Sequence, residues 1–237
     1  VAPRLSKLHL DRLGIVAKKL MTDIDPSFDL APEERDMAGL KGAIPAYSAR
    51  LKQGVADSLA LLAAYGDSYL NEANLKPSDY VRVWVRQIFE AVNDAKSWYS
   101  FGRSLPSLAE AAPEEFLSAV ANMSKGEPPP ILGLFESEGD GFFGGCPHAD
   151  LLWSLERISW NKSYFSLVSS TLARLSEIDP GGRYSNRPFP SLVDIFLGWI
   201  NNTQTTLTER IQIIEDVLLD RHPKITWKLL IALLPNN

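Results

Sequence analysis

The chain has 237 residues, a length that fits one large domain or two small ones. Hydrophobic residues make up 45% of the chain and aromatic residues 10%, so a disordered polypeptide is excluded. The formal net charge of −5 argues against a nucleic-acid platform, which needs a basic face to bind phosphates. The single cysteine, Cys146, excludes an internal disulfide bond.

Hydropathy and the N-terminal sequence indicate where the protein resides. No apolar run reaches the roughly eighteen residues that a membrane span needs, and the N-terminus carries no signal-peptide pattern. We therefore expect a cytoplasmic protein without a membrane partner. The chain begins at Val1 and not at Met, so we also expect it to be a fragment of a larger protein.

Apolar spacing predicts amphipathic helices in the first half of the chain. We expect helices at 4–21, 48–65 and 113–124, and Gly66 is expected to end the second of them. The side chains expected to face the core are Leu5, Leu8, Leu13, Val16, Leu20, Leu51, Val55, Leu59, Leu62, Phe116, Val120 and Met123.

A further helix is predicted to start at Pro77, followed by Ser78 and Asp79. The valines just after this start alternate as they would in a strand. Apolar residues nevertheless keep helical spacing over a longer window, as far as Val92. We favour the helix, because β-propensity depends strongly on context. The residues on this helical stripe are Val81, Trp84 or Val85, Ile88 and Val92.

Residues 125–146 interrupt the helical pattern. The three prolines Pro128 to Pro130 and several glycines predict a long loop, with a short extended piece at 131–135. Long loops on compact domains are often functional, so we expect this loop to contribute to partner binding.

Helical spacing returns after the loop. A helix pair is predicted between Leu151 and Asp179, where the Asp-Pro-Gly-Gly sequence ends it. Further helices are predicted to start at Ser191, Thr206 and His222, the first two because an acid three residues on resembles a capping box. The expected core residues are Leu151, Leu155, Ile158, Phe165, Val168, Leu172, Leu175, Leu207, Ile211, Ile214, Val217 or Leu218, Trp227, Leu230 and Leu234.

This rhythm of helix, turn and helix predicts an all-α fold. The arrangement that it favours is an irregular α-solenoid of stacked helix pairs (TPR/HEAT-like) with one long Gly/Pro-rich loop. We expect a single helical-repeat domain over 1–237, whose sub-parts 1–124 and 147–237 are joined by the loop 125–146.

Two ligand-binding patterns occur in the loop, and neither has its full context. Gly139, Gly141 and Gly144 match a dinucleotide fingerprint, but a helix and no second strand is predicted after them, which favours a flexible loop. Glu136, Glu138 and Asp140 resemble the start of an EF-hand calcium loop. The closing ligand position falls on Pro147, so we interpret these acids as solvated.

Cys146 and His148 place a thiol and an imidazole close together in the sequence. Zinc needs about four such ligands, and the other histidines, His9 and His222, lie in distant segments. A nucleophilic pair needs the imidazole aimed at sulfur, which a spacing of two residues does not ensure. We favour an inert cysteine and a capping or packed histidine.

The remaining motifs indicate packing and not chemistry. The sequence has no Walker P-loop, GxSxG or HExxH motif, so we expect no enzyme activity, no cofactor and no metal site. The tryptophans on or beside apolar stripes are expected in the core and not in a ligand cage. These are Trp84, Trp153, Trp199 and Trp227.

Several stretches together resemble the C-terminal helical region of large bacterial STAND-type ATPases, especially antiviral ones of the Avs kind. The resemblance covers residues 48–237 and depends on helix-packing and corner residues. The stretches are LKQGVADSLALLAAYG (51–66), SLPSLAEAAPEEFLSAV (104–120), HADLLWSLERISW (148–160), LARLSEIDPGGRYSNRPFPSLVDIFLGW (172–199) and WKLLIALLP (227–235).

The resemblance implies a sensor. In that family the C-terminal helices bind a phage protein such as a terminase subunit or portal, a central ATPase module then oligomerises, and an N-terminal effector is switched on. This chain would be the recognition region, while ATPase and effector modules lie elsewhere in the parent protein. Arg183, Asn186 and Arg187, in the corner 179–190, are expected to satisfy helix ends.

Two alternatives remain open at this point. The chain can be a structural or oligomerisation scaffold with no ligand of its own. It can also be an enzyme that uses the corner at Cys146 and His148 or the glycine-rich loop, although the partners that such chemistry needs are missing from the sequence.

Overall fold

Helices form all the regular structure in the part of the chain that the computed structural model describes, which comprises residues 6–69, 76–138, 146–197 and 203–234. This confirms the all-α prediction. Internal contacts divide the chain into two compact units, Val1–Asp150 and Leu151–Asn237.

The first unit contains α-helices and short 3₁₀ turns. The turns are Pro26–Asp29, Pro32–Met37 and Gly102–Ser104. The helices are α1 (Lys7–Met21), α2 (Ala49–Tyr69), α3 (Pro77–Glu90), α4 (Ala95–Tyr99), α5 (Leu105–Ala111), α6 (Pro113–Met123) and α7 (Leu132–Phe135). Proline stands at the first position of α3 and α6, where its missing N–H costs nothing. Both starts agree with the predicted ones.

An aromatic cluster fills the centre of this unit, between α3, α4 and α6. Phe89 stacks on Trp98 with the ring centroids 5.5 Å apart, and it meets the edge of Phe101 at the same distance. Phe116 contributes from α6, 6.0 Å from Phe89. Such pairs add about 0.5–1.5 kcal/mol each beyond the area that they bury.

The inward face of α1 differs from the predicted one. Leu8 and Val16 are exposed and Leu13 is half-buried, whereas the predicted Leu20 is buried together with Leu10, Gly14, Ala17 and Met21. Leu5 lies outside the described residues. Small residues in the middle of the buried stripe let α1 approach α3 closely. The sequence contained the correct period, but large side chains were given preference over small ones, which placed the stripe on the wrong face.

Gly66 does not end α2, contrary to the prediction. The helix continues to Tyr69. Gly66 is buried where a β-carbon would come within 2.7 Å of Pro77 Cβ at the start of α3. The glycine therefore permits a close approach of two helices, and it serves no turn.

The predicted extended piece at 131–135 is also wrong. Residues Leu132–Phe135 form the short helix α7, and Ile131, Leu134 and Phe135 are buried. α7 packs on α4. The segment after the three prolines is thus part of the core of the first unit.

The second unit is built from the helices that follow. They are α8 (Ala149–Ile158), which begins two residues before the unit boundary, α9 (Lys162–Ile178), α10 (Pro188–Phe196), α11 (Leu207–Ile213), a π-helical segment (Ile214–Leu218), α12 (Leu219–Arg221) and α13 (Pro223–Leu233). α9 and α10 pack on each other, and both contact α13. The predicted core residues of the helix pair, from Leu151 to Leu175, are buried.

Two helix starts in this unit test the capping predictions. Thr206 and Glu209 form the predicted capping box at α11. Ser191 caps nothing, because α10 already begins at Pro188, and Ser191 lies buried inside the helix. The helix ends at Phe196, and Trp199 lies outside the described residues.

The inward face of α13 is again not the predicted one. Ile225, Thr226 and Leu229 are buried, while Trp227 and Leu234 are exposed. α11 shows the same rotation, since Leu207 and Ile211 are exposed and Arg210 is buried. Both helices carry apolar residues on more than one face, so spacing alone did not identify the buried one.

Candidate functional site

A cavity of about 490 Å³ lies in the first unit. Its walls come from the two 3₁₀ turns after α1, the start of α2, the segment 99–104 and the residues on either side of 139–145. The wall is partly polar and partly apolar, and it carries charges of both signs. The charged residues are Asp25, Arg35, Asp36, Lys52, Arg103 and Asp150.

Lys52 brings a buried positive charge to the wall. Only 4% of the residue is exposed. Its Nζ donates to the backbone oxygen of Asp23 at 2.8 Å and to that of Ser100 at 3.4 Å, and it lies 3.4 Å from the Asp23 carboxylate. A buried ammonium requires such partners, because its desolvation is costly. Lys52 therefore fixes the end of α1 against the start of α2.

Arg35 links the 3₁₀ turn Pro32–Met37 to the segment that follows α7. Its guanidinium donates to the backbone oxygens of Ser137, at 3.2 Å, and Phe28, at 3.1 Å. The same group lies over the rings of Phe28 and Tyr99, with centroid distances of 4.7 and 5.1 Å. These contacts hold one side of the cavity in a fixed geometry.

Asp150, at the start of α8, also lines the cavity. Burial raises the pKa of this carboxyl, and the nearby charge of Arg103 partly offsets the effect.

Cys146, which lines this cavity, lies against His148. Cys146 Sγ lies 3.2 Å from His148 Nε2, and the Glu138 carboxylate lies 3.8 Å from the same nitrogen. The imidazole is fully buried and stacks on Phe135, with 4.7 Å between centroids and 22° between planes. Cys146 itself is partly exposed and lines the cavity. The packed histidine was predicted, but its position within hydrogen-bonding distance of the sulfur was not.

The sequence analysis did not predict that the imidazole lies next to the sulfur, because the helix that orients the imidazole, α7, was predicted wrongly. Phe135 belongs to α7, which was predicted as an extended piece, and a strand there would not place this ring against the imidazole. The signal that could have revealed it was the run Ile131, Leu134 and Phe135, whose spacing is that of one helical turn.

A second polar constellation lies in the second unit. Ser170 Oγ is 3.2 Å from His222 Nε2, and His222 Nδ1 is 2.9 Å from Glu177 Oε1. The order of contacts is that of a serine–histidine–carboxylate triad. The hydroxyl projects from the middle of α9, however, and not from the strained turn that exposes such a nucleophile in α/β-hydrolases. We interpret the three residues as a link between α9 and the start of α13.

Buried arginines hold the corners of this unit. Arg187 pairs with Asp179 at the end of α9, and it also donates to the backbone oxygen of Gly181 at 3.0 Å. Arg187 was predicted to satisfy a helix end, and these partners are instead a carboxylate and a carbonyl of the turn after α9. Arg210 donates to the backbone oxygen of Leu197 at 2.8 Å and to Thr203 Oγ1 at 2.7 Å. Burial lowers the pKa of Arg210.

Exposed tryptophans distinguish the second unit. Trp153, Trp160 and Trp227 are exposed at 52%, 51% and 64%. The core prediction was therefore wrong for Trp153 and Trp227, whereas it was right for Trp84, which is buried. On α13, Trp227 is followed four residues later by exposed Ile231, and exposed Leu234 directly follows the helix as its cap residue. We call these three exposed apolar side chains the α13 outer face.

The ligand-binding patterns of the loop gain no further support from the described residues. Gly139, Asp140, Gly141 and Gly144 lie outside the described residues. Within the described ranges no group of three or more His, Cys, Asp or Glu side chains could hold a metal ion. Among the helices described, none is both long and apolar enough to span a membrane.

Comparison of the chain with protein-family models, with curated proteins and with solved structures gives no match. The resemblance to antiviral STAND ATPases therefore stays a prediction.

Proposed function

We propose that this chain is a protein-recognition region, the sensor of a bacterial antiviral STAND NTPase. It binds a phage protein such as a terminase subunit or portal in the cytoplasm. Binding then activates ATPase and effector modules that lie elsewhere in the parent protein, which assembles as a homo-oligomer. The sequence resemblance supports the biological setting, and the α13 outer face supports the binding role.

The α13 outer face is the observation on which the binding role depends. α13 contributes Ile225, Thr226 and Leu229 to the core and at the same time exposes Trp227 and its two apolar neighbours. Exposed apolar stripes on folded proteins mark interaction sites. Tryptophan is also enriched among the residues that dominate binding energy at protein interfaces.

The charges beside these apolar side chains indicate which charges the partner surface would carry. Lys224 and Lys228 are exposed on α13, one helical turn before and one residue after Trp227. A partner with an apolar groove bordered by acidic side chains would complement this arrangement. Rim charges of this kind act mainly on the association rate and its salt dependence.

Packing in the first unit supports the finer fold proposal, an irregular α-solenoid of helix pairs. Here α2 contacts α1, α3 and α5, and α3 also contacts α1 and α6. All these partners lie within three helices of each other in the chain, and such packing between elements near in sequence is what stacked helical repeats require.

The experiment is a direct binding measurement between this chain and purified phage terminase and portal proteins. We expect one of them to bind, and W227A to weaken binding by at least about tenfold, as loss of an interface hot spot does. L40A is the matched control, because Leu40 is an exposed apolar residue of the first unit. K224E with K228E should slow association more than it speeds dissociation.

Two other outcomes would contradict the proposal or favour the alternative function. No binding of the intact parent protein to any terminase or portal contradicts the phage-sensor proposal. Concentration-dependent self-association that W227A abolishes would favour the structural or oligomerisation scaffold, since the same face would then bind a second copy.

A further inference from the structure

We propose that Cys146 is a reactive thiol, deprotonated by His148, and that hydrogen peroxide entering the adjacent cavity oxidises it to a sulfenic acid. The inference is independent of the proposed recognition function. It depends on the position of the imidazole relative to the sulfur and on the access that the cavity gives.

The imidazole is positioned to accept the thiol proton. His148 Nε2 lies 3.2 Å from Cys146 Sγ, within hydrogen-bonding distance for sulfur. The stack on Phe135 holds the ring plane, and complete burial leaves the ring little freedom to rotate away. A thiol hydrogen-bonded to an imidazole in this way can form a thiolate–imidazolium pair, and the thiolate is the nucleophile in cysteine chemistry.

Charges around the pair decide whether the ionic form persists. Burial of His148 opposes the imidazolium, while the thiolate and the Glu138 carboxylate, 3.8 Å from Nε2, favour it. The cavity next to the sulfur adds cationic groups that favour a thiolate and acidic groups that oppose it. The cationic residues are Arg35, Lys52 and Arg103, and the acidic ones are Asp25, Asp36 and Asp150.

Two of these groups carry little weight in that balance. Lys52 is already neutralised by Asp23, and burial raises the pKa of Asp150, which weakens its opposition. Without them two cations, Arg35 and Arg103, and two acids, Asp25 and Asp36, remain, so the cavity charges balance in number and His148 is the group that favours the thiolate.

Access is provided by the cavity. Cys146 is partly exposed and belongs to the cavity wall. The volume of about 490 Å³ is far larger than hydrogen peroxide, which is comparable to one or two water molecules of about 30 Å³ each. The oxidant can reach the sulfur without any change in the packing of His148.

The reaction is balanced with the groups named. The thiolate sulfur attacks one peroxide oxygen, an S–O bond forms and the O–O bond breaks. The sulfur is oxidised by two electrons, and the departing hydroxide takes the Nε2 proton of His148 and leaves as water. The products are Cys–SOH, neutral imidazole and water. Sulfenic acids are reversible products at the start of the cysteine oxidation series.

The test uses the whole chain, whose single cysteine makes the signal unambiguous. The rate of alkylation by iodoacetamide is measured from pH 6 to pH 9, in buffer and in urea that unfolds the protein. We expect the folded chain to react nearly independently of pH, and at pH 6.5 at least about tenfold faster than the unfolded chain, in which an ordinary thiol is mostly protonated. A folded-state rate that falls about tenfold per pH unit below pH 8 overturns the thiolate pair.

The oxidation step has its own measurement. Wild-type protein is treated with hydrogen peroxide and a cyclic 1,3-dione that captures sulfenic acid, and the adduct is located by mass spectrometry. Pair formation without any adduct at Cys146 overturns the peroxide step. H148Q should lose both the flat pH profile and the adduct, with circular dichroism as the check on folding.

A control and a second variant keep the result interpretable if H148Q unfolds. H9Q changes an exposed histidine of α1 and should leave both readouts unchanged. E138Q keeps the shape of the side chain and removes only the charge near Nε2, so it should shift the pH profile towards that of the unfolded chain. An unchanged profile in E138Q contradicts the role given to Glu138.

Discussion

Gly14 on α1 lies against the indole of Trp84 on α3, where a β-carbon would come within 2.4 Å of Trp84 Cε2. The two helices approach as closely as a glycine allows, and Trp84 is buried in the resulting contact. The tryptophan cannot yield easily, because it also meets the ring of Tyr80 at 5.8 Å.

We predict that G14A lowers the free energy of unfolding by about 1–3 kcal/mol, the usual cost of overpacking a close contact. The matched control is G54A on α2, since a β-carbon added at Gly54 would meet no other atom within 4 Å. This control should raise stability by about 0.4–1 kcal/mol, as alanine does at an unstrained helical glycine. Urea denaturation of both variants provides the comparison, and equal effects of the two changes would contradict the packing.

The two faces of α13 give a second prediction, which separates the face that is buried from the one that spacing suggested. L229A removes a fully buried side chain, so the free energy of unfolding should fall by about 2–5 kcal/mol. W227A removes an exposed side chain, and its effect should stay within about 0.5 kcal/mol. Thermal or urea unfolding of the two variants measures both changes in the free energy of unfolding. A large loss of stability in W227A would mean that the α13 outer face is part of a core.

Element type was predictable from the sequence because the helices have long apolar periods and strong terminal signals. Pro77, Pro113 and the capping box at Thr206 each mark a start where the structure has one. These signals act within a few residues, so the sequence displays them directly.

The buried face of each helix was less predictable, since it depends on which helix packs against it. On α1 the small residues Gly14 and Ala17 are buried because α3 supplies the bulky Trp84. On α13 two faces are apolar, and only contacts with α9 and α10 determine which one is inside. The contact between His148 and Cys146 was not predicted for the same reason, because Phe135 orients the imidazole from a separate helix.

The structure also sharpens the role of the loop 125–146. Ile131, Leu134 and Phe135 are core residues of the first unit, so deletion of the whole loop would test folding and not binding. Substitutions at exposed positions such as Glu127 or Pro130 are the appropriate way to test a contribution of this segment to partner binding.

Glu156 gives a third prediction. Its Oε1 accepts a hydrogen bond from Ser191 Oγ at 2.6 Å, between α8 and α10. Burial is the main cause that raises the pKa of Glu156, the bond from Ser191 lowers it, and the charge of Asp194 raises it again. A carboxyl with a raised folded-state pKa costs stability once the pH exceeds its unfolded value, because the folded chain holds the proton more tightly.

We therefore expect E156Q to raise the melting temperature at pH 7, since glutamine keeps an oxygen for Ser191 without the charge. The gain should shrink as the pH falls below the ordinary value of 4.5, where Glu156 takes up a proton in the unfolded wild-type chain as well as in the folded one. S191A is the companion variant, and it should lower stability by about 1–2 kcal/mol by leaving the carboxylate without this donor. A gain in E156Q that does not depend on pH would contradict the titration.

The fourth prediction concerns acid sensitivity at the start of α11. The pKa of Glu209 is lowered from 4.5 to about 2, chiefly by the hydrogen bond from Lys162 and then by the backbone N–H and hydroxyl of Thr206. A depressed folded-state pKa stabilises the protein above the unfolded value, and this stabilisation is lost as the pH falls through the folded one. Stability should therefore decline between about pH 4.5 and pH 2.

E209Q should be less stable than wild type at pH 6 and should decline less steeply in that window. E33Q, which removes an exposed charge from the turn Pro32–Met37, is the control. The midpoint of urea unfolding, measured at half-unit pH steps, provides the test, and parallel curves for E209Q and wild type would show that the capping box does not carry this pH dependence.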